Sequence, residues 1–187
     1  SFHINGLTNE YSGQVAFLRD GKITMVGAFE ELEPIQFEGV GLLEAFTTTG
    51  GTSTAPYTFE GKLQVYQNKT CRWPGHFAQF KAYQLLGLFD LEPVQVDGYQ
   101  IVPRDVFHTL LEPKITAPRI KDVCVMRAKG VGVGASGAPQ SVIIDLIDYY
   151  DVETGFTAME RITGWHAGIM AEFVACGVVK PGAWPME

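Results

Sequence analysis

The chain has 187 residues, 46% of them hydrophobic and 19% charged, with a formal net charge of -7. This is the balance of an ordinary globular chain with length for one real core, and it argues against disorder. The acidic excess and the lack of any Lys/Arg run exclude a surface for nucleic acid. The apolar runs are too short to span a bilayer, and Ser1-Phe2-His3 lacks a charged n-region followed by an apolar one, so the reading is a cytoplasmic protein with no membrane contact.

Cys71, Cys124 and Cys176 are odd in number and far apart, and the four histidines include no H-x-x-x-H pair, which excludes a disulfide framework and a structural zinc site. The chain begins without Met and stops at Trp184-Pro185-Met186-Glu187, which reads as a piece of a longer protein.

In chain order, 4–11 carries turn residues without a period and reads as an entry segment. Val15–Arg19 and Lys22–Val26 flank Asp20-Gly21, a pair suited to the positive φ values of a tight I′ turn, and predict a hairpin. The acidic stretch Glu30–Pro34 reads as a solvated connection. Leu42–Phe46 is a short apolar strand that delivers Thr47-Thr48-Thr49-Gly50-Gly51-Thr52-Ser53-Thr54, and Ser53–Glu60 holds one helical turn ended by Gly61.

A strand is expected from Leu63 to about Arg72, where Trp73-Pro74-Gly75 turns the chain. The following helix places Ala78, Ala82, Leu85, Leu86 and Phe89 on one stripe. Pro103 opens a short helix lined by Val106, Phe107, Leu110 and Leu111 and stopped by Pro113. The region from Asp122 reads as three antiparallel strands, the third at Phe156–Ile162, with Thr163 capping a closing helix and Gly177 ending it. The fold class is therefore α/β (α+β), a mixed, largely antiparallel sheet with helices packed on one face, in a single domain over residues 1–187.

Gly132-Val133-Gly134-Ala135-Ser136-Gly137 matches G-x-G-x-x-G letter for letter, but Ala138-Pro139-Gln140 and a β-branched strand follow it. A dinucleotide site needs a helix beginning inside the motif, so this reads as a hairpin loop and the chain holds no Rossmann domain. No G-x-S-x-G, H-E-x-x-H or Walker pattern occurs. Asp145 and Asp148 fall on opposite faces of a strand, which leaves paired-carboxylate chemistry without support.

The stretch from Thr47 to His76 is the chemical candidate. Its first half offers hydroxyls and backbone N–H groups, and its second offers Lys69, Arg72 and His76 beside a helix start, a set suited to a small anion. His76 in a first helical turn is kept neutral by the dipole. Lys69 and Arg72, three residues apart, cannot point at one ligand from an ideal strand without a twist or bulge. His108 and His166 fall within helical patterns and read as structural or surface residues.

Thr49-Gly50-Gly51-Thr52-Ser53-Thr54, Glu60-Gly61-Lys62 and Lys69-Thr70-x-Arg72-x-Pro74-Gly75-His76 resemble the catalytic-domain signature of saccharopine dehydrogenase-like oxidoreductases, a group that includes lysine 6-dehydrogenase. The resemblance continues through Pro103-Arg104-Asp105-Val106, Glu112-Pro113-Lys114, Asp151 to Met159 and Thr163-Gly164. Trp73 stands where that pattern has Tyr, and Cys71 where it has an aliphatic residue. The resemblance implies the second, substrate and dimerisation domain of an enzyme acting on a C–N bond of an amino acid. NAD or NADP would be bound by an N-terminal domain missing from this chain, with no cofactor or metal held here. It further implies a homodimer, Arg72, Thr49, Gly50, Gly51 and Thr52 as substrate contacts, and Lys69 and His76 as the catalytic pair. The 187 residues alone are expected to give no turnover. The alternative is a non-enzymatic amino-acid-binding or dimerisation module that keeps the fold.

Overall fold

The structure is a computed structural model that describes residues 4–185 and 187; the readings placed on Ser1–His3 and Met186 lie outside the described residues. It forms two compact units, one reaching Thr116 and including Glu187, the other Ala117–Trp184.

In the first unit, α1 (Ile4–Glu10) leads into the hairpin of β1 (Gln14–Arg19) and β2 (Lys22–Gly27). Asp20 and Gly21 both have positive φ, 51° and 75°, as the turn requires. A three-stranded antiparallel sheet follows, in the order β3 (Glu33–Phe37), β4 (Gly41–Thr47), β5 (Lys69–Arg72). The connection expected at Glu30–Pro34 is thus partly strand. Pro34 pairs with Glu44 on the edge strand, where a missing N–H is tolerated, and buried Phe37 anchors the strand's far end.

The short α2 (Ala55–Phe59) has Pro56 in its first turn, and Gly61 follows at φ 74°. The strand expected from Leu63 begins only at Lys69. Tyr66 instead meets Leu18 of β1 in a single reciprocal bridge before the chain crosses to β4, so the two pairings belong to different sheets.

Helix α3 (His76–Leu85) buries a different face from the predicted stripe. Leu85 and Leu86 are 78% and 75% exposed, while Phe80 and Phe89 are buried and Phe77, Tyr83 and Leu88 pack beside them. Rings at 77, 80 and 83 win because each removes more apolar area from water than a leucine. The core they complete is a cluster of Tyr11, Phe29, Phe46, Phe80, Phe89 and Phe107.

Strands β6 (Val94–Val96) and β7 (Tyr99–Ile101) form a second hairpin around Asp97-Gly98. Helix α4 (Pro103–Ile115) runs two residues past Pro113, which sits in its last turn and removes only one helical bond. Its buried face is Phe107 and His108 with Leu111, not Val106 and Leu110, and His108 lies 3.0 Å from the Thr8 hydroxyl.

In the second unit, β8 (Val123–Val133) and β9 (Pro139–Tyr149) form a long antiparallel hairpin. The glycine motif ends β8 and closes the loop, where Gly134 N–H donates to the Ala138 carbonyl and Gly137 N–H to that of Gly134. The expected third strand is helix: α5 (Ala158–Ala175) starts after Thr157, not Thr163. Thr157 and Glu160 form a capping box, and the Asp122 carboxylate accepts the N–H groups of Ala158 and Met159 at 2.7 and 2.9 Å. Gly177 follows the helix at φ 69°.

The α/β class and antiparallel pairing hold throughout, with the strands divided among small sheets. Among the described residues, no helix is long and apolar enough to cross a membrane, no group of three His, Cys, Asp or Glu is gathered for a metal, and Cys124 and Cys176 are free thiols.

Candidate functional site

Strand β4 ends by delivering the threonine loop, and the loop's own polar groups hold it in place. The Thr47 hydroxyl donates to the Gly27 carbonyl at 2.7 Å and accepts from Glu30 N–H at 2.9 Å. The hydroxyls of Thr48 and Thr70 are 2.7 Å apart. Thr49 reaches the end of α1 twice, through its N–H to the Glu10 carbonyl and its hydroxyl to that of Asn9. Gly50 sits at φ 88°, which favours glycine there, while a Cβ on Gly51 would come within 2.7 Å of the end of the exposed Asn68 side chain and would displace it.

These elements enclose an open cavity of about 400 Å³ lined by Asn9, Glu10, Thr48, Thr49, Gly50, Gly51, Asn68 and Thr70. Of the predicted ligand contacts, Thr49, Gly50 and Gly51 line it. Thr52 does not: it is buried, and its hydroxyl donates to the Ala16 carbonyl at 3.0 Å.

Alternation along β5 sorts the cations. Thr70 and Arg72 share one face of the strand, and Lys69 takes the other. Arg72 Nε donates to the Tyr11 hydroxyl at 3.2 Å, Nη1 donates to the Cys71 carbonyl at 3.1 Å, and Nη2 lies 3.8 Å from the carboxylate of Glu10. Arg72 therefore stands behind Glu10, which itself lines the cavity. Lys69 is drawn away: its Nζ donates to the Glu31 carbonyl at 2.7 Å and pairs with Glu33 at 3.1 Å. The structure does not bring Lys69 and Arg72 together, as the strand period requires.

His76 opens α3, and the Glu44 carboxylate on β4 accepts from the N–H groups of Gly75 and Phe77, fixing that helix start to the sheet. Its Nε2 lies 2.9 Å from the Tyr11 hydroxyl, and its ring stacks on Phe80 at 4.1 Å. Burial, and then the neighbouring Arg72 charge, lower its pKa to about 4 against the pull of Glu44, so the imidazole is neutral near pH 7. The expected neutrality holds, with burial as its main cause.

Asn9, Glu10 and Tyr11 join this site from outside the stretch singled out in the sequence, and Asn68 and Thr70 join it from within that stretch without having been named as contacts. Asn9 and Glu10 belong to the seven-residue α1 and Tyr11 directly follows it, in a stretch with no readable period. A polar cavity lined by a carboxylate, with a guanidinium behind that carboxylate, presents groups suited to a small molecule bearing both charges.

The family model described as the saccharopine dehydrogenase C-terminal domain matches residues 1–187. The chain belongs to that family. Among solved structures, this saccharopine dehydrogenase C-terminal domain is similar to apo histidine-tagged saccharopine dehydrogenase (L-Glu forming) from Saccharomyces cerevisiae, with a TM-score of 0.72 at 17% identity. The match covers 96% of this chain and 54% of the yeast chain, so the domain spans about half the length of that relative, and at this identity the likeness speaks for the fold.

Proposed function

We propose that this domain is the substrate-binding and dimerisation part of a saccharopine dehydrogenase-like oxidoreductase that acts on the C–N bond of an amino acid such as lysine or saccharopine, in the cytoplasm. The observation that carries the reading is the Arg72–Glu10 pair at 3.8 Å beside a cavity lined by Glu10, Thr48–Gly51, Asn68 and Thr70. An α-amino acid brings a carboxylate, which suits Arg72, and an ammonium, which suits Glu10. Thr49, Gly50 and Gly51 supply the cavity wall around it. His76, neutral and linked to Tyr11, is the group suited to proton transfer. Lys69, paired with Glu33 on the opposite strand face, balances charge there instead.

The family's activity calls for NAD or NADP. The residues here do not fit a dinucleotide cradle, because the glycine motif closes a hairpin and no helix starts in it. In this reading the cofactor is held by a part of the protein outside the 187 residues, and these residues alone give no turnover. Self-association uses the second unit, whose exposed Val142 and Ile144 share one face of the β8–β9 hairpin and offer an apolar surface to a second copy.

The test is Arg72→Ala in the full-length protein. Loss of a charge-assisted contact worth ~1.5–3 kcal/mol raises the KM for the amino acid by roughly 10- to 100-fold, with little change in the KM for NAD(P). An unchanged amino-acid KM overturns the assignment.

A further inference from the structure

We infer that Tyr11 is a positioning residue of this site, its hydroxyl joining Arg72 to His76 in a one-way hydrogen-bond chain that aims the guanidinium and fixes which imidazole nitrogen carries the proton. The inference rests on the reading of Arg72 as the carboxylate grip.

Tyr11 has no exposed surface. Its ring stacks on Phe29 at 4.5 Å and meets Phe46 and Phe80 edge-on at 5.6 and 6.0 Å. Its carbonyl accepts from Gln84 Nε2 at 2.8 Å. The ring and backbone are thus held on several sides, and the hydroxyl stands in one place.

Two partners converge on that hydroxyl, Arg72 Nε at 3.2 Å and His76 Nε2 at 2.9 Å. A guanidinium nitrogen only donates, and a phenol has one proton to give. The Tyr11 oxygen therefore accepts from Arg72, and its own proton goes to His76 Nε2, so the neutral ring carries its hydrogen on Nδ1. The reverse arrangement, with Nε2–H donating to Tyr11, leaves the buried phenol proton without an acceptor.

The surrounding charges agree with this direction. Arg72 disfavours a charged imidazole, and Glu44, which opposes it, is occupied by the N–H groups of Gly75 and Phe77. Burial raises the Tyr11 pKa, with Arg72 opposing and Glu10 assisting, so the phenol keeps its proton. With Nε held by Tyr11 and Nη1 by the Cys71 carbonyl, Nη2 is the guanidinium nitrogen left toward Glu10, which lines the cavity.

The experiment combines histidine-selective ¹⁵N NMR with kinetics on the full-length protein, using wild type, Tyr11→Phe and Arg72→Ala. The expected wild-type His76 is neutral at pH 7, with a proton on Nδ1 and none on Nε2. Tyr11→Phe keeps the ring packing, moves the His76 tautomer toward Nε2–H, and raises the amino-acid KM roughly fivefold, the size of one ordinary hydrogen bond. A wild-type His76 protonated on Nε2 overturns the proposal without any variant, and so decides it even if Tyr11→Phe fails to fold. A Tyr11→Phe protein with unchanged His76 signals and unchanged KM, beside an Arg72→Ala protein with raised KM, overturns the role of Tyr11 and leaves the Arg72 reading standing. An Arg72→Ala protein with unchanged amino-acid KM overturns both.

Discussion

The two compact units solve the problem of apolar surface in opposite ways. The first gathers Tyr11, Phe29, Phe46, Phe80, Phe89 and Phe107 into one buried cluster and hangs the cavity residues on its rim. Among the described residues of the second, only Ala158 is buried, although its strands and helix are rich in valine, isoleucine and aromatic residues. A two-stranded hairpin and one helix cannot close a core, so the apolar side chains stay out: Val131 is 74% exposed and Ile144 63%. What holds the second unit is its strand ladder and polar contacts: the Thr157–Glu160 capping box, Asp122 at the helix start, and the Arg127–Asp145 and Arg161–Asp148 pairs. One unit builds a site on its own core, while the other presents surface.

The largest test of that contrast is Phe46→Ala against Ile144→Ala. Phe46 is fully buried between Phe29 and Tyr11, and its truncation is expected to cost ~3–5 kcal/mol in chemical denaturation. Ile144→Ala is expected to fall within ~0.5 kcal/mol when measured at low protein concentration, as for an exposed side chain. Equal costs for the two substitutions would erase the distinction between the units.

A second, smaller effect belongs to the first unit and shows in pH. His76 has its pKa lowered from 6.5 to about 4 by folding, so between those values the unfolded chain holds the proton that the folded one refuses. The stability linked to neutral His76 is fully present above about pH 6.5 and is lost as pH falls toward about 4. Replacing His76 by Phe removes the group, and the fall in unfolding midpoint between pH 7 and 4.5 becomes shallower than in wild type. Parallel pH profiles for the two proteins would show that His76 is not the titrating group.

The second unit answers to its cap. Thr157→Ala removes the acceptor for Glu160 N–H and is expected to cost ~1 kcal/mol, read as a lower denaturation midpoint. A loss at Thr163→Ala instead would restore the helix start expected from the sequence.

That helix start shows what the sequence made legible. Thr157-x-x-Glu160 is a capping signature in plain view, but the apolar residues of Phe156–Ile162 also fit a strand, and the Asp122 carboxylate that settles the matter is more than thirty residues away. Asp20-Gly21 was readable because well-patterned strands flank it; Asp97-Gly98 has the same chemistry between three-residue strands too short to show a period. The separation of Lys69 from Arg72 followed from alternation alone. The phase of α3 did not, because apolar residues lie on several sides of it and only the packed rings of Tyr11, Phe29 and Phe46 select Phe77 and Phe80. Tyr11 was hidden for the same reason: its partners Arg72 and His76 are 61 and 65 residues away, and no local pattern encodes such a pair.

The smallest expected effect on the fold is also the one that sharpens the contrast furthest. Ile144→Thr keeps a β-branched residue in β9, so the hairpin should form as before, and at low concentration the denaturation midpoint should match wild type. If a second copy covers this surface, the wild-type thermal midpoint rises with protein concentration, because association stabilises only the folded chain, and in Ile144→Thr that rise is reduced. Light scattering across the same range follows the mass directly. A wild-type midpoint independent of concentration, with a monomeric mass throughout, would mean that the exposed valines and isoleucines of the second unit do not serve self-association. A large loss of stability in Ile144→Thr at low concentration would mean that the monomer itself covers this residue, and the two units would then differ less than their exposed surfaces indicate.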